Sequence, residues 1–413
     1  MTQWSPVWRL KIEGVEYTNV TLASMSMSSG RTNIYEQAQA SYANIVLINS
    51  DQSAIAPQIN DGLTIEVQDS TAAYVPIFGG TISDIEIGIQ SAGSVMYVQS
   101  IKLVAVGTLA KLNRTLVNGV LSKDFDGDQI YEVLGDLLAN NWAEVPAALT
   151  WGTYTPATEQ WQNAENLGLG EIDRPGNYEL TARSSSQTTA YALVAALATS
   201  GLGQIYEDAQ GRISYSDSTH RTTYLAANGY TELLIENAIY SGIKTAKRAG
   251  DVRNQITITY KANATKSAED LDSVAIYGNL AQNITTSLEK AIDAQQQADF
   301  YLELRAYPVA FFDTAAFELT NPNINDSNRN ALLNVFMGLP VRFTDLPQNM
   351  GAQFEGYVEG WTFTSSFNKL QVQLYLSPVS FSTVAEQWED VSVAEAYNTV
   401  SATLQWQNAF VVA

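Results

Sequence analysis

The chain has 413 residues, more than one hydrophobic core usually holds, so roughly two to four domains are expected. Its net charge of −21 argues against a protein that binds nucleic acid or anionic lipid through a basic surface. The chain has no cysteine and one histidine, which excludes disulfides and argues strongly against a zinc site.

Residues 1–112 have the residue pattern of β-strands throughout. Trp8, Leu10 and Ile12 alternate with charged residues, and the run around Ile65 alternates in the same way. Gly, Asp and Ser separate these runs. Period-two alternation with such breaks predicts antiparallel strands that close into a barrel or a sandwich.

A mixed α/β section is predicted at residues 113–240. Asp126 or Asp128 can cap a helix of about three turns, whose apolar residues recur at helical spacing. These residues are Ile130, Val133, Leu134, Leu137 and Leu138. A second helix is predicted to end at Gly201, and a hairpin is predicted around Gly211.

The β pattern returns in residues 241–380, which are predicted to form a second β-barrel domain. One helix interrupts it, at about 284–305, before Pro308. Residues 381–413 contain no Lys or Arg, and they hold Trp388 and Trp406 in an acidic, polar setting. We therefore expect a C-terminal arm whose aromatic side chains bind a partner.

One motif occurs near both ends of the chain. Residues 62–85 and 338–361 each begin with Gly-Leu and reach a Phe-x-Gly sequence at the same distance. Upstream of each, residues 45–49 and 317–321 form β-like runs that end in Asn. A chain with the same small β unit at both ends presents one kind of surface twice per subunit. The repeat therefore points to assembly rather than to catalysis.

The residue types that carry catalysis are sparse. His220 would need an acid and a nucleophile brought to it by the fold, and an ordinary loop histidine after the hairpin is the simpler interpretation. The run Asp124–Asp128 resembles the start of a calcium loop, but Gln129 stands where the glycine should be and Gly135 where the glutamate should be. Helix capping explains these aspartates better. We predict no catalytic, cofactor-binding or metal-binding residues, and no enzymatic activity.

One basic segment stands out in this acidic chain. Its members are Lys244, Lys247, Arg248, Arg253, Lys261 and Lys266. Two interpretations remain open: a solvated loop and hairpin, or a docking patch for an acidic neighbour, including a second copy of the chain.

Several short motifs follow one another in an order that resembles the minor tail proteins at the tail tip of long-tailed bacteriophages of actinobacteria. The motifs are Ser29-Gly30-Arg31-Thr32, Ala40 to Asp51, Phe78 to Ile82, Tyr206 to Tyr215, His220-Arg221, Asp251 to Thr257, Ser273 to Gly278, Thr344 to Pro347, Phe354 to Trp361 and Leu376-Ser377-Pro378. The resemblance covers most of residues 1–380.

This resemblance implies a baseplate hub, also called a tail-associated protein. That family is trimeric, with two β-barrel domains per chain separated by an α/β insertion. The implied fold class is mainly β with an α/β insertion: domains at 1–112 and 241–380 flank the mixed section at 113–240, and an arm follows. A trimer with two similar barrels per chain offers six equivalent surfaces to a six-fold tail tube above and three-fold surfaces to a tip below.

The expected function is that of a structural virion protein at the distal end of a tail, made in the host cytoplasm. Its expected partners are two further copies of itself, a ring of distal tail protein, the tape measure protein, and tip or fibre proteins. DNA would pass an acidic channel without specific binding, and no segment is long and apolar enough to span a membrane. The alternatives are a carbohydrate- or receptor-binding tail module, whose Trp and Tyr would stack on sugars, and a wall-degrading enzyme.

Overall fold

Strands dominate the structure, as the alternating sequence predicts. The computed structural model describes residues 4–32, 34–49, 55–92, 96–139, 169–234, 239–261, 263–309, 311–344, 346–347, 350, 353–366, 368–379, 385–387 and 410–412. Across these ranges the chain is mainly β, with seven α-helices.

The strands of the first half are β1 (Trp8–Ile12), β2 (Val15–Glu16), β3 (Val20–Gly30), β4 (Gln39–Asn49), β5 (Gly62–Gln68), β6 (Tyr74–Ala92), β7 (Met96–Val106), β8 (Leu116–Val117), β9 (Asp124–Phe125), β10 (Leu169–Ile172), β11 (Glu179–Leu180) and β12 (Thr188–Thr189). Those of the second half are β13 (Gln204–Glu207), β14 (Ile213–Ser216), β15 (Thr231–Leu234), β16 (Ile239–Ala246), β17 (Gln255–Tyr260), β18 (Ala264–Glu269), β19 (Ala281–Thr285), β20 (Phe311–Glu318), β21 (Pro340–Thr344), β22 (Phe354–Ser366), β23 (Lys369–Pro378), β24 (Ala385–Gln387) and β25 (Phe410–Val412). The helices are α1 (Leu109–Leu112), α2 (Asp126–Ala139), α3 (Ala190–Ser200), α4 (His220–Asn228), α5 (Leu271–Tyr277), α6 (Ala291–Arg305) and α7 (Asp326–Leu333).

One 13-stranded sheet joins the two ends of the chain. Its main path runs β16-β20-β23-β22-β3-β4-β7-β6-β5-β1-β2, and β21 joins it beside β22 with β15 on its outer edge. The N-terminal strands and the C-terminal strands meet where β22 pairs with β3. Within the described ranges no strand path closes on itself, so the two predicted barrels remain a prediction.

The repeated motif occupies the same place in two runs of identical strand order. In the first half the order is β3-β4-β7-β6-β5, and in the second half it is β16-β20-β23-β22-β21, with antiparallel pairing throughout. We call these runs the first and second β units. The pairing of β6 with β7 shifts between Ile82 and Asp84, and that of β22 with β23 shifts at the matching place, between Val358 and Gly360. A shared bulge at one position is a specific mark of duplication.

The match between the units differs from the sequence alignment at two places. In the upstream runs, Leu47 rather than Ile45 holds the place of Phe317, since they pair with the equivalent residues Ile101 and Val372. Ile65 pairs with Phe78 in the first unit, whereas Phe343, rather than Val341, pairs with Phe354 in the second. The slip is two residues. Because side chains alternate with a period of two, each residue keeps its face and the core pattern survives.

Two hydrophobic cores divide the described residues. The first contains the inward side chains of both β units, among them Met25, Phe78, Trp361 and Phe363. The second lies in the middle of the chain and includes α2 and α3, but also Ile256 and Ile258 of β17 and two alanines of α6. The segment from β17 to α6 therefore packs with the middle section.

The predicted helices are found at α2 and α3, and Gly201 caps α3 as predicted. The hairpin is also confirmed, since β13 pairs with β14 and Gly211 has φ +78°. The helix predicted at 284–305 is wrong over its first turns. Ile284 pairs with Ile258 in the parallel strand β19, and the helix begins only at Ala291. The β-branched run before it favours an extended strand.

Trp388 and Trp406 lie outside the described residues. In the predicted arm, the short strands β24 and β25 pair with each other.

Candidate functional site

The two β units join along a tightly packed strand pair. β22 and β3 pair from Gly360 opposite Gly30 to Ser366 opposite Ser24. Gly30 has φ +80°, and a Cβ placed there would lie 2.4 Å from the carbonyl oxygen of Glu359. Glycine is therefore required at this point, for its backbone angle and for the close approach of the two strands. We call this strand pair the internal seam.

A buried carboxylate sits at the end of the internal seam, at the bulge of β22. Glu359 is 1% exposed. Arg31 Nε donates to its Oε2 at 2.7 Å, and Arg221 donates to both oxygens at 2.7 and 2.8 Å. Ser377 Oγ adds a fourth hydrogen bond at 2.5 Å. The Arg31–Glu359–Arg221 triad thus connects the first unit, the second unit and the middle section.

The electrostatics of Glu359 follow from these contacts. Burial alone would raise the pKa of its carboxyl group, but the guanidinium groups of Arg221 and Arg31 outweigh that effect and hold the pKa well below its ordinary value. The carboxylate is therefore charged at any physiological pH. Replacing it would leave two buried guanidinium groups without their shared counter-charge.

Arg221 follows the single histidine of the chain at the start of helix α4. The interpretation of His220 as a loop residue is wrong: it begins helix α4 and is 4% exposed. Asp217 Oδ1 accepts hydrogen bonds from the backbone N–H groups of Thr219 and His220, which fixes the start of the helix. His220 Nδ1 lies 2.7 Å from Asp173 Oδ2. Burial lowers the pKa of His220 to about 4, so its ring is neutral at neutral pH.

Glu171, Asp173 and His220 bring their ligand atoms within 4.8 Å of one another, which makes them the candidate metal ligands in the described part of the chain. Asp173 is already engaged near the start of α4, where it contacts His220 Nδ1 and accepts a hydrogen bond from the backbone N–H of Asp217. Burial raises the pKa of Glu171 to about 7 and that of Asp173 well above its ordinary value. Groups that favour the protonated state are poor ligands until a cation displaces the proton.

The aspartates of the calcium-like run do not converge. Asp126 is fully buried and accepts hydrogen bonds from the Tyr215 hydroxyl group and from the backbone of Tyr178. Asp128 pairs with Arg174 instead. α2 begins at Asp126, as the sequence predicts, but the Asp126 carboxylate is engaged by Tyr215 and Tyr178, so helix capping by these aspartates stays a prediction.

The basic segment is divided by the fold. Lys261 forms an ion pair with Glu289, and Arg253 donates to the backbone carbonyls of Gly250 and Val252. Lys266 lies on β18 and Lys244 on β16. Lys247 and Arg248 follow β16 and are exposed.

The middle section also contacts the first β unit directly. Glu207 of β13 accepts a hydrogen bond from the backbone N–H of Ser41 at 2.7 Å and another from Leu109. Gly79 of β6 and Gly211 of the hairpin approach so closely that a Cβ on Gly79 would lie 2.0 Å from the Gln210 carbonyl oxygen. The hairpin is thereby fixed against the sheet.

Sequence reasoning missed the triad, although its signal was present. Arg31, Arg221 and Glu359 each belong to one of the short motifs that carry the family resemblance, and the fold brings three distant motifs to one point.

Among the helices of the described ranges, none is long and apolar enough to cross a membrane. No protein-family model matches the chain, and no curated protein matches it. Solved structures of phage tail proteins do match the chain. The tail protein from Neisseria meningitidis MC58 aligns with a TM-score of 0.58 at 12% identity, over 92% of this chain and 98% of that one. The 43 kDa tail protein of prophage MuSo2 from Shewanella oneidensis aligns with a TM-score of 0.55 at 11% identity, over 91% and 98%.

The aligned regions include both β units and the middle section, because each alignment spans about nine-tenths of this chain. The predicted resemblance to phage tail proteins is thus confirmed at the level of the fold. The chain has the fold of these phage tail proteins.

Proposed function

We propose that this chain is a structural virion protein, the baseplate hub at the distal end of a phage tail. The observation that carries the proposal is the duplicated strand order with its shared bulge. Two equivalent β units in one chain let a three-fold assembly present six equivalent surfaces. The fold shared with phage tail proteins supports the same role.

In this proposal three copies form a ring in which first and second β units alternate around a central channel. The internal seam between β22 and β3 supplies the contact between neighbouring units of one chain. Each unit would be a barrel-like element of the ring. The net charge of −21 would let DNA slide past the wall without binding.

The predicted domain division is retained with one change. Residues 1–112 form the first β domain and 113–240 the insertion. The packing of β17, β18 and α6 into the second core supports assigning residues 251–305 to the insertion as well. The second β domain would then consist of β16 and the strands from β20 to β23, with β15, from the end of the insertion, pairing with β21 at its edge.

The role is mechanical rather than enzymatic. The ring would join the distal tail protein above to tip or fibre proteins below, contact the tape measure protein, and gate the channel. The buried Arg31–Glu359–Arg221 triad supports this role, because it links three parts of the chain through buried ion pairs.

The mass of the native particle tests the proposal. Native mass spectrometry of the purified protein should give three times the 45.1 kDa mass of the chain. A protein that stays monomeric at micromolar concentration, and still fails to assemble with a distal tail protein ring, would refute the hub.

A further inference from the structure

The first β unit has an uncovered strand edge. β6 pairs with β7 on one side from Thr81 to Ala92, and with β5 on the other side only from Tyr74 to Thr81. Beyond Thr81 that second edge has no strand partner in the described ranges. Ile87 and Ile89 lie there with 55% and 66% of their surface exposed. A long exposed edge with apolar side chains is a site where another strand adds.

The second β unit shows what covers this edge. Its strand β22 pairs with β21 first and then, from Gly360 to Ser366, with β3 of the first unit. The shared bulge aligns Phe363 with Ile87 and Ser365 with Ile89. Phe363 is 0% exposed and Ser365 3%. Positions of β22 that are buried next to the internal seam therefore have exposed equivalents on β6.

The strand equivalent to β3 is β16, and it too has an unpaired edge. β16 ends the main sheet path and pairs only with β20 within the described ranges. Thr245 pairs with Phe312 of β20 just as Ser28 pairs with Tyr42 of β4. β16 thus holds the position in the second unit that β3 holds in the first.

We propose that β16 of a second copy of the chain pairs antiparallel with residues 84–90 of β6, forming an external seam equivalent to the internal one. The inference rests on the proposed trimeric hub and specifies which surfaces meet. Thr245 of one copy would lie opposite Glu86 of the next, as Ser28 lies opposite Thr362 within the chain. Three external and three internal seams then close the ring, and no strand edge of this kind stays open.

Charge complementarity supports the same pairing. Asp84 and Glu86 are exposed on the β6 edge, where Glu86 also pairs with Lys102 of β7 at 3.0 Å, and Lys247 and Arg248 are exposed just after β16. At the internal seam Arg31 directly follows β3 and reaches Glu359 at the bulge. Thr245 is equivalent to Ser28, so Arg248, three residues later, is equivalent to Arg31. At the external seam Arg248 would therefore lie beside the bulge of β6 that precedes Asp84. Lys247 and Arg248 of one copy would thereby lie close to Asp84 and Glu86 of the next.

Because the chain has no cysteine, engineered disulfides test the seam without background. The variant E86C/T245C places one cysteine on each side of the external seam. Its matched control, S28C/T362C, places the same pair on the internal seam, where cross-linking occurs within one chain. Directly opposed residues of antiparallel strands are close enough for a disulfide. After oxidation, E86C/T245C should run as covalent dimers and trimers on a denaturing gel, and S28C/T362C as a single chain.

The outcomes of the cross-linking experiment and of native mass spectrometry distinguish a failure of the external seam from a failure of the proposed hub. A native trimer in which S28C/T362C cross-links and E86C/T245C does not would overturn the external seam and leave the hub standing. A protein that is monomeric in native mass spectrometry, and also fails to assemble with a distal tail protein ring, would refute the hub itself.

A second variant tests the apolar contact. I87K/I89K places two charges on the exposed edge, where the fold of the single chain does not need the isoleucines. We expect circular dichroism to be unchanged and the concentration for half-assembly to rise ~100-fold or more. L271K, at a site that is 71% exposed and away from β6, should assemble like the wild type. Normal assembly of I87K/I89K would contradict the proposal.

Discussion

Neutralising Glu359 is the sharpest test of how the three parts of the chain are held together. The variant Glu359→Gln keeps the size of the side chain and removes its charge. The carboxylate is 1% exposed and accepts hydrogen bonds from Arg31, Arg221 and Ser377. Its loss leaves two guanidinium groups buried without a counter-charge, which typically costs about 3–5 kcal/mol. We expect the free energy of unfolding to fall by that amount.

The same strand provides a matched control. Glu355 of β22 pairs with Arg342 at 2.8 Å, but the two side chains are 35% and 31% exposed. Solvent screens this pair, so Glu355→Gln should cost about 1 kcal/mol or less. Urea unfolding followed by tryptophan fluorescence measures both variants against the wild type, with the slope m fitted separately.

A double variant isolates the triad from general effects of the substitution. E359Q/R221Q leaves one buried guanidinium group in place of two, so it should be less destabilised than the sum of the single variants. If E359Q unfolds within about 1 kcal/mol of E355Q, the triad does not stabilise the junction and the reasoning fails.

Three further predictions concern the middle section, its contact with the sheet, and DNA. Burial raises the pKa of Asp126 to about 7, so the folded state holds a proton that the unfolded state releases near pH 4. The stability that Asp126 contributes should therefore fall as pH rises from about 4 to about 7, by ~1.4 kcal/mol for each pH unit. Glu171 and Glu207 have pKa values raised to about 7 as well, so Asp126→Asn should reduce, without abolishing, the loss of stability between thermal melts at pH 5 and pH 8. Gly79→Ala should lower the free energy of unfolding by about 1–3 kcal/mol, because the added Cβ would clash with the backbone of Gln210. Its control is Gly88→Ala, where the nearest atom to the added Cβ is 3.9 Å away, and it should cost less than about 1 kcal/mol. Equal urea midpoints for the two variants would contradict the contact between Gly79 and Gln210. Duplex DNA should show no mobility shift with the protein even at low salt, and a shift that weakens as salt is added would count against a passive acidic channel.

The sequence was most informative about strands and about the repeat. Alternation revealed the strands around Leu10 and Ile65, and the Phe-x-Gly motif pointed to two units with one strand order. The strand register could not be predicted from the sequence, because a slip of two residues keeps the same side chains on the apolar face and leaves the alternation of apolar and polar residues unchanged. The boundary at residues 284–290 failed for a related reason: short apolar runs fit both a strand and a helix.

The candidate site was far less predictable than the fold. Arg31, Arg221 and Glu359 are separated by long stretches of chain, and only tertiary pairing brings them together. His220 shows the same limit, since a single histidine in a polar run has no local sign of burial. The sequence singled out the basic segment but left its role open, and the proposed partner surface on β6 for Lys247 and Arg248 comes from the strand order.

The central claim is that the two β units of three chains occupy six equivalent stations in one ring. Electron cryomicroscopy of the purified particle tests it directly. We predict a three-fold particle in which first and second β units alternate and superpose after a rotation of one-sixth of a turn. A trimer whose two units lie at different radii or heights, or do not superpose, would contradict the account.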